Sequence, residues 1–323
     1  MLGHLSVSGF CVRAIRRRVQ TPQDYSSVWI KLLFRMITAT TNIDGPPVRF
    51  NAALTGLAVY LDNFALINLA KGDSLRRQRF ISTLHRGADL LFSVSNVVEL
   101  TGPQGKSLAD VRAFLDEIGP HWFPVELDAT EVVNREVAGA RLPESCICTR
   151  FVKDYFAFQM AKCVPNSGRI INLSRDSLGL GAVLDWVGPQ RKSICDGSAA
   201  LDAALVKKIT GYRNEFERNP AWLDQRFPIL PFNPDMPATF TYVNLVRTLI
   251  VEAKAHRLKE GDGLDFCHAV IATSFASVAT LDKQWKRRIE SLTKPNTLAP
   301  VYYGPQLDEM VTDIECRLTP MAK

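Results

Sequence analysis

The chain has 323 residues, 46% of them apolar and 22% charged. That is a globular balance, and it excludes wholesale disorder, a collagen-like repeat and a coiled-coil rod. The formal charge is +6, but it is concentrated at one end: residues 1–40 carry Arg13, Arg16, Arg17, Arg18, Lys31 and Arg35 against Asp24 alone.

Residues 1–50 read as an irregular basic segment. Three readings stand open for it: an organelle transit segment, a nucleic-acid-binding arm, or upstream sequence ahead of a true start at Met36. Gly45-Pro46-Pro47 closes it. The run Leu57–Asp62 (LAVYLD) is short and apolar, as a buried parallel strand is. A helix over Ala65–Ala70 and a basic helix over Leu75–His85 follow, then a second buried strand, Leu90–Ser95. Helices are expected at Ser107–Ile118, with Ser107 as N-cap, at Thr130–Ala140 and at Cys148–Cys163, with a strand at Trp122–Leu127 between the first two.

After the less regular stretch 165–238, which holds a helix near Ser198–Arg218, order returns. Phe240–Leu258 carries apolar residues at helical spacing. Then come a helix at Asp265–Phe275, a strand at Val278–Asp282, a helix at Lys283–Ser291, a strand at Pro300–Tyr303 and a closing helix at Pro305–Cys316. Strands alternating with helices predict an α/β fold with a mostly parallel sheet. No stretch approaches 18 uncharged apolar residues; the longest, around Val28–Ile37, is broken by Lys31 and Arg35. Seven scattered cysteines without a C-x-x-C pair point to reduced thiols in a cytoplasmic protein. The P-loop, the nucleophile-elbow and the H-E-x-x-H signatures are absent.

In open α/β sheets ligands bind at the carboxyl ends of the strands. Asp62 and Asp282 close two of the expected strands; Glu99 lies four residues past a third, and Asp265 opens the helix leading to Asp282. Each has a plain alternative as a helix cap or turn residue, Glu99 by reaching back to Asn96. Caps do not explain why an acid recurs at each element end on one side. Two carboxylates about 5 Å apart repel by roughly 3 kcal/mol at an effective dielectric near 20. A cluster of four therefore binds cations, holds protons or spreads. Oxygen-only donors select Mg²⁺ or Mn²⁺, a chemistry suited to phosphodiester hydrolysis without a side-chain nucleophile. Asp262 is an alternative to Asp265.

Four segments, VYLDNFALINLAKGD (59–73), LLFSVSNVVELTG (90–102), GDGLDFCHAVIA (261–272) and ATLDKQW (279–285), together resemble the PIN-domain nucleases, a family that includes the ribonuclease toxins of bacterial toxin–antitoxin pairs. The resemblance implies a three-layer α/β/α fold and a metal-dependent endoribonuclease of single-stranded RNA. It implies Asp62, Glu99, Asp265 and Asp282 as the Mg²⁺ (or Mn²⁺) ligands and catalytic quartet, and a protein inhibitor or antitoxin and a homodimer as possible partners. Phe64 stands where many members carry Asn or Ser, and Asn63 sits one position early. The spacing from Glu99 to Asp265 implies a core in two parts, 51–102 and 240–323, around a helical insertion or enlarged helical arm at 103–239.

Supporting roles are expected for Asn63, for His268 on the face of Asp265, and for Lys283. Arg76, Arg77, Arg79, His85 and Arg86, with Lys283, Lys286, Arg287 and Arg288, read either as a phosphate-binding set or as solvated helix faces. Trp186 and Trp285 read as buried indoles before base-stacking ones. Two rival functions stand beside the ribonuclease: a catalytically silent RNA- or protein-binding module, and a structure-specific DNA nuclease.

Overall fold

The computed structural model describes residues 54, 56–102, 106–155, 179–292 and 298–319 in full, and the backbone of three strands before them. Those strands, β1 (Ile30–Leu33), β2 (Ile37–Thr41) and β3 (Arg49–Ala52), pair antiparallel in chain order. They fall within the segment expected to be irregular. Antiparallel pairing of strands that follow one another in the chain is local and needs little hydrophobic periodicity, so the sequence pattern there was silent.

The core is a five-stranded sheet, wholly parallel in its pairings, with the order β6-β5-β4-β7-β8. Its strands are β4 (Leu57–Tyr60), β5 (Ala88–Phe92), β6 (Trp122–Pro124), β7 (Val278–Thr280) and β8 (Val301–Tyr302). Residues β4, β5 and β7 are buried almost throughout, which is why they read as unbroken apolar runs rather than alternating ones. From β4 the chain runs outward through α1 (Asn63–Lys71), α2 (Ser74–His85), β5, α3 (Val94–Leu100) and α4 (Lys106–Ile118) to β6. It returns to the other side of β4 only at β7.

Residues 106–124 thus belong to the sheet: Leu90, Leu91 and Phe92 pair with Trp122, Phe123 and Pro124. The mainly helical part of 103–239 begins after β6. The strand was legible at 122–127, but its partner was not, because pairing to β5 is non-local.

Among the described residues that helical part holds α5 (Ala129–Val137), helical residues 149–155, α6 (Leu180–Val187), α7 (Arg191–Arg218) and the short α8 (Trp222–Arg226). The expected Cys148–Cys163 helix therefore runs partly outside the described residues. It leads through α9 (Pro237–Val251, with Pro at its first turn) to α10 (Asp262–Phe275), then β7, α11 (Lys283–Ser291), β8 and α12 (Leu307–Leu318).

Local chemistry sets several ends differently from expectation. Ser107 lies inside α4 rather than capping it. Asp128, not Thr130, opens α5, accepting from the Thr130 and Glu131 amides. Ser93 opens α3 with a reciprocal capping box to Asn96, which turns Ser95 from strand to helix. The core is dominated by Tyr60, Phe80, Phe92, Phe114, Phe123, Phe266 and Trp285, all fully buried or nearly so. Among the described residues no helix is long and apolar enough to cross a membrane.

Candidate functional site

The strand order reverses between β4 and β7, so these neighbours form the topological switch point, where connections leave in opposite directions and a crevice opens at the carboxyl ends. Asp62 follows β4 and Asp282 follows β7. Each is a helix N-cap: Asp62 Oδ1 accepts from the Ala65 amide at 2.9 Å, and Asp282 Oδ1 from the Trp285 amide at 2.7 Å. Thr280 stitches the two ends together. Its hydroxyl accepts from the Asp62 amide at 2.8 Å and donates to Asp62 Oδ1 at 3.0 Å. Capping uses one oxygen of each aspartate and leaves lone pairs for another partner.

Glu99 is not a cap. It sits in the last turn of α3, whose N-terminus is served by Ser93 and Asn96, so its plain alternative fails. Its Oε2 instead accepts from Asn63 Nδ2, while Asn96 Nδ2 donates to Asn63 Oδ1 at 3.1 Å. Asn63 thus bridges the start of α1 to Glu99. Asp265 is not a cap either: α10 begins three residues before it. The alternative third acid, Asp262, is buried and turned elsewhere, accepting from the Lys259 amide at 2.8 Å and paired with His256 Nε2 at 3.3 Å.

The aim of Asp265 is set by the helical part of the chain. Asp202, on α7, accepts from the amides of Gly261, Gly263 and Leu264 at 2.9, 2.8 and 3.1 Å and so holds the N-terminus of α10. Position 263 must be glycine for this approach: a Cβ there would stand 2.6 Å from the Asp202 carbonyl oxygen.

One pocket of about 170 Å³ is lined by Asp62, Asn63, Phe64, Glu99, Asp265, His268, Leu281, Asp282 and Trp285. The four acids, drawn from four elements, share it. Their electrostatics record the sharing. Burial raises Asp62; the Ala65 amide and Thr280 hydroxyl pull it back, and the Asp282 charge pushes it up again. Burial, then the Asp282 charge, raise Asp265 to about 6, with Asp262 and Glu99 adding to it and a hydrogen bond with the Trp285 side chain opposing. Glu99 keeps an open flank, but desolvation of its inner side raises it, with Asn63 and Ser95 opposing and the Asp62 charge adding.

His268 lies beneath this floor. Burial lowers its pKa to about 4, so the ring is neutral near pH 7. Its Nδ1 pairs with the hydroxyl of the fully buried Tyr60. The Tyr60 hydroxyl is kept protonated, first by burial and then by the Asp62 and Glu99 charges. A protonated hydroxyl both donates and accepts, so this bond holds the neutral ring in place with either nitrogen carrying the proton. Tyr60, Thr280 and Asn96 were missed in the sequence. Their one signal was a polar atom set in or just after an otherwise apolar strand, two residues before Asp62 and Asp282 and three before Glu99.

Lys283, the first residue of α11, does not line the pocket; it is exposed beside Asp282. The basic residues of α2 are tied elsewhere. Arg76 pairs with Asp308, Arg77 with Glu117 and Arg79 with Glu315, at 2.6–2.7 Å, and His85 Nε2 meets the Glu117 carbonyl at 3.1 Å. These bonds lock α2 to α4 and α12. Arg288 is buried over the Trp285 ring and bonds Glu252. Trp186 is buried and stacked on Phe151, with ring centres 5.2 Å apart.

The donor set, four carboxylates and no thiol, is that of a hard divalent ion. Yet among the described residues no three Asp, Glu, His or Cys side chains converge closely enough to hold an ion. Sharing a pocket is not the same as converging on one point: Glu99 Oε2 is drawn to Asn63, and two of the aspartates each commit an oxygen to a helix amide. Compared with models of protein families, with curated proteins and with solved structures, the chain matches none.

Proposed function

We propose that this chain is a metal-dependent endoribonuclease with a three-layer α/β/α PIN-like fold, hydrolysing phosphodiester bonds of single-stranded RNA at the pocket of Asp62, Glu99, Asp265 and Asp282. The observation that carries the reading is that these four acids, spread over 220 positions of sequence, line one pocket at the switch point of a parallel sheet, where burial and then neighbouring carboxylates raise the pKa of Asp62, Glu99 and Asp265. Crowded like charge is unfavourable to folding, and a polyanionic substrate worsens it. A hard divalent cation relieves both.

In this reading Asp62 and Asp282 hold Mg²⁺ or Mn²⁺ through the oxygens their caps leave open, with Glu99 and Asp265 completing the set. The bound ion supplies Lewis acidity at a phosphate oxygen and lowers the pKa of a bound water. The chain's own residues do the rest. Asn63 and Asn96 hold Glu99 in place, Asp202 aims Asp265, and Trp285 restrains Asp265 while closing the floor. His268, neutral and held by Tyr60, brings no charge to the pocket. Lys283 beside the rim offers a cation to a neighbouring phosphate. A cytoplasmic setting fits the five free thiols among the described residues.

The test is cleavage of unstructured RNA with Mg²⁺ or Mn²⁺, with Asp62→Asn and Asp282→Asn beside the wild type. Activity that survives both changes rejects the site. The separation of the ligating atoms favours one second reading, a silent PIN-like binding module. That reading predicts no cleavage, together with a divalent-ion rise in Tm if the acids still gather around a cation.

A further inference from the structure

The position that departs from the family pattern is itself informative. Phe64 is in the first turn of α1, two residues after Asp62, and its side chain is not part of the core. The apolar residues that follow it, Ala65, Leu66, Leu69 and Ala70, are all buried, while Phe64 is 60% exposed. An isolated exposed apolar residue is ordinary. This one lines the acid pocket, on the same wall as Asp62 and Asn63.

The ring is also seated. It leans on Gly304, where a Cβ would come within 2.5 Å of its Cε1 atom, so a side chain at 304 would push the ring off its place. Next to that glycine, Lys286 lies 5.5 Å from the Tyr303 ring centre and 5.8 Å from that of Tyr302, with its ammonium bonded to Gln306. The rim thus presents an aromatic face, propped by backbone on one edge, beside a pocket of carboxylates. An apolar contact alone would need no flat face. A base needs one, and every base has a π-face to offer, so stacking tolerates any sequence.

We infer that Phe64 is the stacking platform for the unpaired nucleobase next to the phosphate held at the acid pocket. The inference rests on the nuclease reading for the identity of that phosphate. It makes single-strandedness a requirement of the rim, because a base held in a duplex cannot lie on the ring.

The experiment uses the full chain and a short, labelled, unstructured RNA. Affinity is followed by fluorescence anisotropy, turnover by cleavage, and folding by Tm. Phe64→Ala and Phe64→Leu are expected to raise Kd and KM roughly tenfold while kcat changes by less than about twofold; Tm stays at the wild-type value, and Phe64→Trp restores binding. The leucine variant separates stacking from mere hydrophobic contact. Wild-type cleavage with unchanged Kd and KM in Phe64→Ala overturns the stacking role alone and leaves the ring for a protein partner. Binding that weakens in Phe64→Ala without any wild-type cleavage keeps the platform and overturns the nuclease. No binding and no cleavage by the wild type overturns both.

Discussion

Two sets of carboxylates in this chain find their partners in different ways. Asp202 and Glu136, 4% and 1% exposed, are turned toward helix N-termini. Asp202 takes three amides at the start of α10, and Glu136 takes the Ala238 and Thr239 amides and the Thr239 hydroxyl at the start of α9. Asp62, Glu99, Asp265 and Asp282 line one pocket, with lone pairs left over beyond the bonds to Asn63 and the helix amides. The first set is satisfied by partial positive charge that the fold supplies; the second lacks enough of it. Burial by itself therefore says little about function. The informative feature is an acid whose neighbours are other acids.

The contrast can be broken at several points, the largest first. Asp202→Ala leaves three amides without their acceptor and is expected to destabilise the fold by about 3 kcal/mol, read by urea denaturation. A loss under about 1 kcal/mol would mean that water replaces the carboxylate and that the structural set is not structural.

Asp62→Asn and Asp282→Asn are expected to lower cleavage by roughly a hundredfold or more, with Tm in metal-free buffer equal to the wild-type value or above it. A variant that loses activity only by unfolding would place that acid with Asp202 instead.

The pH dependence of stability sharpens the same point. Asp265 is raised to about 6 from an ordinary 3.8. Between those values the folded state keeps a proton that the unfolded state has released, so its contribution to stability is full below about pH 4 and is lost as pH rises through about 6. Half-shielded by solvent, the change is on the order of 1 kcal/mol. Without divalent ions, Tm of the wild type should fall across that window more than that of Asp265→Asn, and Mn²⁺ should raise Tm more at pH 7.5 than at pH 5. Equal profiles for the two proteins would show that the fold does not raise Asp265.

The smallest effects distinguish the two basic helices. Arg79→Ala, which removes a surface ion pair to Glu315, should cost less than about 1 kcal/mol and leave RNA affinity unchanged. Lys283→Ala should leave Tm unchanged and reduce the salt dependence of RNA binding by about one counterion. The reverse pattern would move the phosphate track from α11 to α2.

Much of this was legible in the amino-acid order. LAVYLD and VATLD announce buried strands closed by acids, and α1, α2, α4, α5, α10, α11 and α12 were found within a few residues, while α3 and α6 were not. Errors gathered at ends, where one polar atom decides the matter: Ser93 rather than Glu99 governs α3, and α10 starts at Asp262 rather than Asp265. Charge was the least readable feature. Arg76, Arg77 and Arg79 look as available for phosphate as Lys283 does, because their partners Asp308, Glu117 and Glu315 lie 40 to 236 positions away.

The sequence alone determined which segments are buried strands and that acids stand at their ends, since side-chain periodicity and capping are local properties of a few consecutive residues. Only the tertiary structure decided that β6 joins the sheet, that β4 and β7 lie side by side at the point where the connections diverge, and that α7 lends Asp202 to the helix bearing Asp265. Those outcomes depend on which apolar faces bury one another across long stretches of chain, and no local pattern encodes that choice.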